Sequence, residues 1–344
     1  MNDVETLIKK ANELQNQVVY HVISKAIMLS AKIDLMRYLC DSDEAGISSE
    51  ELAKRIGFHP QPANRFFRLL ETLKLVEITE KNCIKPTELT AHIKSIYSEH
   101  YFGSFLAFNY FEDALKNNKE CWSTAFGQPF YESLKKSPDK LDHFQKYLED
   151  TAESWLSFIP EVFNFSAYKK IVDVGGGQGQ LLSKIIEANE TVDDMEGVLF
   201  EKEETILGAL NYLKTKELLE KISLVKGNFL LDTLPDGDIY ILCRILLNWE
   251  DDTAINIIKN CLKKIDKHQK LIIIDFVIPP KNHEHYQRAI LHDLNLLAVF
   301  GGTIRSLADW EKLVKQSTNK QATFKIIDEN ISAVLNVPMI VIEI

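Results

Sequence analysis

The residues best placed to do chemistry lie in one short run, Ile171 to Leu182, which reads IVDVGGGQGQLL. An apolar stretch holding a single acid, Asp173, leads into Gly175, Gly176, Gly177 and Gly179, and a helical pattern resumes at Gln180. Strand, glycine turn and helix start together bring bare backbone and a helix N-terminus close to a ligand, because glycine accepts the tight turn and places no Cβ in the way. A dinucleotide-binding turn has the form G-x-G-x-x-G. Counted from Gly175 the sixth position is Gln180, so the spacing is G-x-G-x-G instead. By analogy with the dinucleotide fold, a second acid is expected about 20 residues on, at the end of the next strand, where it can take ribose hydroxyls. Gly197-Val198-Leu199-Phe200-Glu201 supplies that strand and ends in Glu201, with Glu203 and Glu204 close behind.

The elements that must hold these residues alternate from Lys170 onward. Strands are expected at 170–174, 197–201, 222–226, 238–243 and 270–276, with helices between them, including Asp251 to Ile265. Two closing strands are expected at 324–327 and 338–344. Continuous apolar strands separated by helices predict an α/β domain with a mostly parallel sheet covered on both faces. Such sheets bind ligands beyond the carboxyl ends of their strands. Asp173, Glu201, Asn228 and Arg244 all fall at or just past such ends.

Ahead of this domain, residues 100 to 165 are aromatic-rich and read as helical. A helix from Pro138 to Phe158 spaces Phe144, Tyr147, Leu148, Trp155 and Phe158 along its length. Most of these are expected in the core and some along an apolar pocket. Residues 47 to 90 read as helix, helix, hairpin. The first helix, Ser49 to Ile56, opens on a capping box of Ser48 and Glu51; the second spans Gln61 to Lys74. Leu75 to Ile78 and Cys83 to Lys85 flank a turn at Lys81-Asn82. The order is that of a winged helix. A DNA reader usually carries a basic stripe on the second helix; here Arg65, Arg68 and Lys74 share it with Glu71, and the module reads as structural. Residues 1 to 40 read as two helices. Val18, Val19, Val22, Ile23, Ala26, Ile27 and Leu29 make an apolar face wider than one stripe, as at a subunit interface.

Composition narrows the function. The 344 residues carry a net charge of -10, which argues against a general binder of nucleic acid or anionic membranes. No run approaches the roughly 18 apolar residues of a membrane span, and MNDVETLIKK lacks the apolar centre of a signal peptide. The five cysteines, Cys40, Cys83, Cys121, Cys243 and Cys261, form no C-x-x-C pair, so neither a disulfide framework nor a metal site is indicated. A cytoplasmic location is the simplest expectation.

With Asp173 before it, the G-x-G-x-G turn matches the first motif of class I S-adenosylmethionine-dependent methyltransferases. The longer set SSEELAKRIG, IVDVGGGQG, GVLFE, RILLNWEDD, IIIDFVIPP and HDLNLLAVFGG resembles, in order and spacing, the small-molecule O-methyltransferases of plant and bacterial type. The resemblance implies a Rossmann-like methyltransferase sheet behind an N-terminal, mostly helical winged-helix domain. It implies a dimerisation domain at 1–100, a helical linker with substrate-pocket helices at 101–160, and a cofactor domain at 161–344. It also implies a homodimer joined through the N-terminal domain, with a small-molecule substrate and neither nucleic acid nor membrane as partner. S-adenosylmethionine would be the cofactor and S-adenosylhomocysteine the product. Asp173, Gly175, Gly177, Gly179, Glu201, Asn228, Phe229 and Arg244 would bind the cofactor, with Asp173 facing its ammonium. Phe144, Leu148, Trp155, Leu247, Trp249, His292 and Asn295 would line the substrate.

The departures from this family concern proton transfer. Where it has K-R-x-L-H-D-W with a catalytic histidine, the chain reads Cys243-Arg244-Ile245-Leu246-Leu247-Asn248-Trp249, and the base position is Leu247. Where the family often has a glutamate in G-G-x-E-R-T, Ile304 stands. Asp275 replaces a glutamate, and Asn228 replaces the aspartate of G-D-F. Leucine and isoleucine cannot accept a proton. The remaining candidates for acid-base work are His292, beside Asp293, and Asp275, with His143 a weaker one. Two functions stay open at this stage: a methyltransferase, or diverged enzyme on the fold, acting on a small aromatic or enolic hydroxyl; and a cofactor-binding sensor or regulator without methyl transfer.

Overall fold

In this computed structural model the chain is described except at residues 1, 41–44, 97–98, 138, 142, 145–147, 149–154, 267–268, 319–322, 329–338 and 344. It divides into two compact units, 1–102 and 103–344.

The first unit is mostly helical. Helices Asn2–Val18, Tyr20–Lys32 and Leu35–Leu39 replace the two expected from the sequence. The break falls at Asp34, which adopts a left-handed backbone (φ 51°) that a continuous helix cannot contain. Helices Ser49–Arg55 and Pro60–Thr72 follow. The Ser48 hydroxyl accepts the Glu51 N–H at 3.2 Å, the N-cap bond its position calls for. Strands β1 (Ile47–Ser48), β2 (Val76–Ile78) and β3 (Cys83–Pro86) form an antiparallel sheet in the order β1-β3-β2. The β2–β3 hairpin was expected; β1, two residues long, was not. Leu35, Leu39, Leu52, Phe67, Leu70 and Ile84 close the core of this unit. A cavity of about 650 Å³ on the same unit is bordered by Gln61, Asn64, Arg65, Arg68 and Glu71.

The second unit is built on a seven-stranded sheet. β4 (Lys170–Val174), β5 (Glu196–Glu201), β6 (Ile222–Lys226), β7 (Ile239–Cys243) and β8 (Lys270–Ile274) are parallel. β9 (Val277–Ile278) and β10 (Arg305–Ser306) pair separately, and β11 (Thr323–Asp328) and β12 (Met339–Glu343) close the main sheet antiparallel. The order is β11-β12-β8-β7-β4-β5-β6. Two apolar layers cover its faces. One holds Leu181, Ile185, Leu199 and Ile241; the other holds Val172, Tyr240, Leu242 and Ile258. Residues alternate between the layers along each strand, as side chains of a strand must.

The strand expected at 270–276 ends at Ile274, and the Asp275 carboxylate beyond it accepts the backbone N–H groups of Phe276 and of the distant Leu247. The helix expected to run to Ile265 ends at Leu262. Much of the helix expected at 138–158 lies outside the described residues. All five cysteines are free. No described helix is long and apolar enough to cross a membrane, and no described cluster could hold a metal ion.

Candidate active site

β4 sits where the strand order reverses: successive strands add toward β6 on one side and toward β8 on the other. Loops leaving β4 and β7 diverge there and open a crevice beyond the strand ends. The glycine turn leaves β4 and the segment Arg244–Asn248 leaves β7, so both meet at this crevice.

The turn is shaped around Asp173. A Cβ on Gly176 would lie 2.1 Å from the Asp173 Oδ2, so only glycine fits over that carboxylate. Gly175 packs against Ile245 and Phe229, and Gly179 leads into the helix Gln180–Ala188. Gly177 differs: its backbone is left-handed (φ 62°) and nothing lies within 4 Å of where a Cβ would be, so bare backbone borders open space. Asp173 itself is wholly buried, and neither carboxylate oxygen has a hydrogen-bond partner. Burial, and secondarily the charge of Glu201, raise its pKa to about 7. Glu201 ends β5 and accepts the N–H of Lys202. Burial raises it to about 7 as well, against the lowering effect of Lys202. Two buried carboxylates with pKa values near 7 beside a glycine cradle could accept a cationic, hydroxyl-bearing group.

Beyond β6, the Asn228 Oδ1 accepts the Leu230 N–H at 3.0 Å, leaving its amide N–H groups for other use. Phe229 is buried edge-on to Trp249, with ring centroids 6.3 Å apart.

The segment after β7 is clamped from three sides. The Leu247 N–H donates to the Asp275 Oδ2 at 3.0 Å, and the Thr303 N–H donates to the Leu247 carbonyl at 2.9 Å. Arg305, 2% exposed, donates to the carbonyls of Leu246 (2.9 Å) and Trp249 (2.8 Å) and to Asp251 (2.9 Å). Leu247 and Ile304, at 4% and 3% exposure, belong to one apolar core with Phe276 and Leu296. The two positions that should carry proton transfer are therefore packed as hydrophobic core. Asp275 was expected to serve catalysis. It is wholly buried with both oxygens on backbone N–H groups, so it positions the loop instead; burial raises its pKa to about 7.

His292 stands on the helix Tyr286–Phe300, its ring 5.0 Å from Phe276 and perpendicular to it. Burial first, then Arg244 and Arg288, lower its pKa to about 4. It is neutral at pH 7 and a weak base. Its neighbour Asp293 turns away to accept the Ile304 N–H at 2.6 Å. Three residues along the same helix, Asn295 buries an Nδ2 that has no partner.

Of the other expected wall residues, Phe144 packs edge-on against Phe130 at 5.0 Å, Leu148 is half-buried, and Trp155, 2% exposed, is core. Two residues were missed. Tyr131 packs on Phe300 at 5.5 Å and senses both Glu201 and Arg244; nothing in the sequence separates it from the aromatics around it. Arg305 could have been flagged, as a lone cation between Ile304 and Leu307. Replacing Arg305 with methionine removes its bonds to the Leu246 and Trp249 carbonyls and to Asp251, although the Leu246 carbonyl keeps the Trp249 N–H, and should lower stability by about 1–3 kcal/mol. A urea midpoint unchanged from wild type would refute the clamp.

The sequence profile of the O-methyltransferase domain family matches residues 108–319. The chain belongs to that family. This O-methyltransferase is 23% identical over 318 residues to the phenazine O-methyltransferase PhzM of Lysobacter antibioticus, covering 88% of this chain and 89% of that protein. The solved structure of the mitomycin 7-O-methyltransferase MmcR matches at a TM-score of 0.85 and 19% identity, over 98% of this chain and 99% of that one. The O-methyltransferase NcsB1, solved with S-adenosylmethionine and 2-hydroxy-5-methyl naphthoic acid, matches at 0.77 and 20% identity, over 93% and 95%. The fold is thus that of class I methyltransferases.

Proposed function

We propose that this O-methyltransferase binds S-adenosylmethionine at the glycine turn and methylates a small aromatic or enolic hydroxyl that reaches the site already ionised. The observation that carries the reading is the Asp173 carboxylate, fully buried without a partner under a turn whose backbone borders open space. A buried carboxylate without a partner is costly, and the cofactor's ammonium would supply one. Glu201, at the adjacent strand end, suits the ribose hydroxyls. Phe229 and the free amide N–H groups of Asn228 suit the adenine. When bound, the cofactor supplies an activated methyl group on a sulfonium. NcsB1, with its aromatic hydroxy acid, supports an aromatic acceptor.

The absence of a base at position 247 follows from packing. Leu247 and Ile304 cannot take a proton, and His292, with a pKa of about 4, removes one poorly from a phenol of pKa near 10. A general base typically contributes about 10²–10⁴-fold, whereas holding two reactants in line contributes effective molarities of roughly 10⁵–10⁸ M. An acceptor that loses its proton to water before binding needs only the second.

Titration calorimetry with S-adenosylmethionine or S-adenosylhomocysteine should give a micromolar or tighter Kd, about −8 kcal/mol. Incubation of the protein with S-adenosylmethionine and a panel of phenols should give methylated products by mass detection. Heat with NAD and none with either sulfur ligand contradicts the proposal.

The same reading extends to assembly. Leu14, Val18, Val19, Tyr20 and Val22 are exposed in succession along the first two helices, an apolar surface suited to a second copy of the chain. Light scattering at tens of micromolar should report a homodimer; a monomer overturns that expectation.

A further inference from the structure

The helix Pro60–Thr72 in the first unit has a polar face that the proposed function does not use. Gln61, Asn64, Arg68 and Glu71 recur three and four residues apart, with Arg65 beside them, so they share one side of the helix. That side borders the cavity of about 650 Å³, to which Phe67 and Ile78 add an apolar lining. The cavity walls are tied to one another. The Ile78 N–H donates to the Glu71 Oε1 at 3.1 Å, which joins the helix to β2. The Asn82 Nδ2 donates to the Ser49 Oγ at 2.6 Å, and the Ser49 N–H donates to the Asn82 carbonyl at 3.1 Å. Those two bonds join the hairpin turn to the helix Ser49–Arg55. Within this fixed frame three side chains are left over. Arg65 and Arg68 make no ion pair or hydrogen bond among the described residues. The Asn64 Oδ1 is buried and has no partner either.

These groups specify a ligand. A carboxylate has two oxygens and is satisfied by one guanidinium in a two-bond fork. Two guanidiniums on one cavity offer more donors than that and suit the three terminal oxygens of a phosphate. The Asn64 Oδ1 can only accept, and so can the Glu71 carboxylate. A buried acceptor without a partner is costly, so the body attached to the phosphate must donate, through a hydroxyl or an amine. The volume lies within the roughly 300–1,000 Å³ of small-molecule sites. A DNA backbone fits less well, because Glu71 interrupts the basic side of the helix and the chain carries a net charge of -10. We propose that this cavity binds a small phosphate monoester bearing a hydroxyl or amine, with Arg65 and Arg68 on the phosphate and Asn64 taking the donor. The N-terminal unit is then a ligand-binding module as well as a surface for a second copy of the chain. Binding here is independent of S-adenosylmethionine and of methyl transfer, so this site and the proposed activity can fail separately.

The test titrates the full chain by calorimetry with glycerol 3-phosphate, an oxyanion with donors, with sulfate, an oxyanion without them, and with glycerol. Glycerol 3-phosphate should bind at one site per chain, at least fivefold more tightly than sulfate, and glycerol should give no heat. Arg65→Gln and Arg68→Gln should each weaken both anions by about tenfold or more, the loss expected when charge-assisted bonds are removed. Asn64→Leu should weaken glycerol 3-phosphate to the level of sulfate and leave sulfate within twofold of wild type. The three side chains have no partners in the fold, so each variant should keep the wild-type melting temperature, which separates lost binding from lost folding. No heat from glycerol 3-phosphate at millimolar concentration, binding unchanged in either arginine variant, or equal weakening of both anions in Asn64→Leu overturns the inference. So does a DNA duplex that binds wild type more tightly than glycerol 3-phosphate and weakens in both arginine variants, which would make this face a nucleic-acid surface.

Discussion

Asp173→Asn should raise the melting temperature of the cofactor-free protein and at the same time abolish high-affinity binding of S-adenosylhomocysteine. The two effects share one cause. The carboxylate has a pKa of 3.8 in an unfolded chain and about 7 in the fold, where it is fully buried without a partner. Above neutral pH its charge opposes folding by on the order of a few kcal/mol. The sign is that of an acid with a raised pKa: the folded state keeps a proton that the unfolded state has lost. Stability is therefore greatest at low pH and falls as pH rises from about 4 to about 7. Glu201 and Asp275, both raised to about 7 by burial, act in the same direction. His292 acts oppositely, since a pKa lowered from 6.5 to about 4 removes stability as pH falls through that window. The apoprotein should lose melting temperature between about pH 4 and pH 7, where the three raised acids outweigh the single histidine, and Asp173→Asn should flatten that loss. Removing one partner of a buried charge pair weakens binding by about 2–5 kcal/mol, so the variant should need far more S-adenosylhomocysteine to saturate. An asparagine variant that melts lower than wild type and still binds tightly would show that the carboxylate is satisfied in some other way.

The second large effect concerns the core where the base should be. Leu247→His restores an imidazole at the position the family uses. For a phenol of pKa near 10 the rate should rise by up to roughly 10²-fold, the lower end of general-base catalysis. For an acceptor already ionised at pH 7 it should not change. Adding Ile304→Glu supplies the carboxylate that fixes the histidine tautomer. The structure sets the accompanying loss: Leu247 and Ile304 are both nearly fully buried in one apolar cluster. The double variant puts an ionisable pair there, and its folding stability should drop by several kcal/mol through desolvation. Rate should be compared with a denaturation midpoint for each variant. If wild type already methylates high-pKa phenols well and Leu247→His changes nothing, a base other than position 247 is at work. His292→Ala, which should otherwise leave the rate within a few-fold, would then abolish activity.

What could be read from the residues alone was local. The turn from Asp173 to Gly179 and the acid at Glu201 announce themselves because strand, glycine and acid spacing are contiguous, and the alternation of strands and helices sets the sheet. The break at Asp34 was not legible, since no glycine or proline marks it. The roles of Asp275 and Arg305 were not legible either. Each acts across a long gap in the chain, Asp275 on Leu247 and Arg305 on Leu246, Trp249 and Asp251. Their sequence neighbours say nothing of those partners. The same holds for His292: sequence placed it beside an acid, but Asp293 is committed to Ile304 and the charges around the imidazole are cations.

The most direct test of the central claim is the pH dependence of single-turnover methyl transfer, measured with acceptors whose hydroxyl pKa values span several units. If the protein only positions an ionised acceptor, the midpoint of each rate profile follows the pKa of the acceptor used and moves from one acceptor to the next. A midpoint that stays fixed across acceptors would identify a titrating protein base and contradict the account.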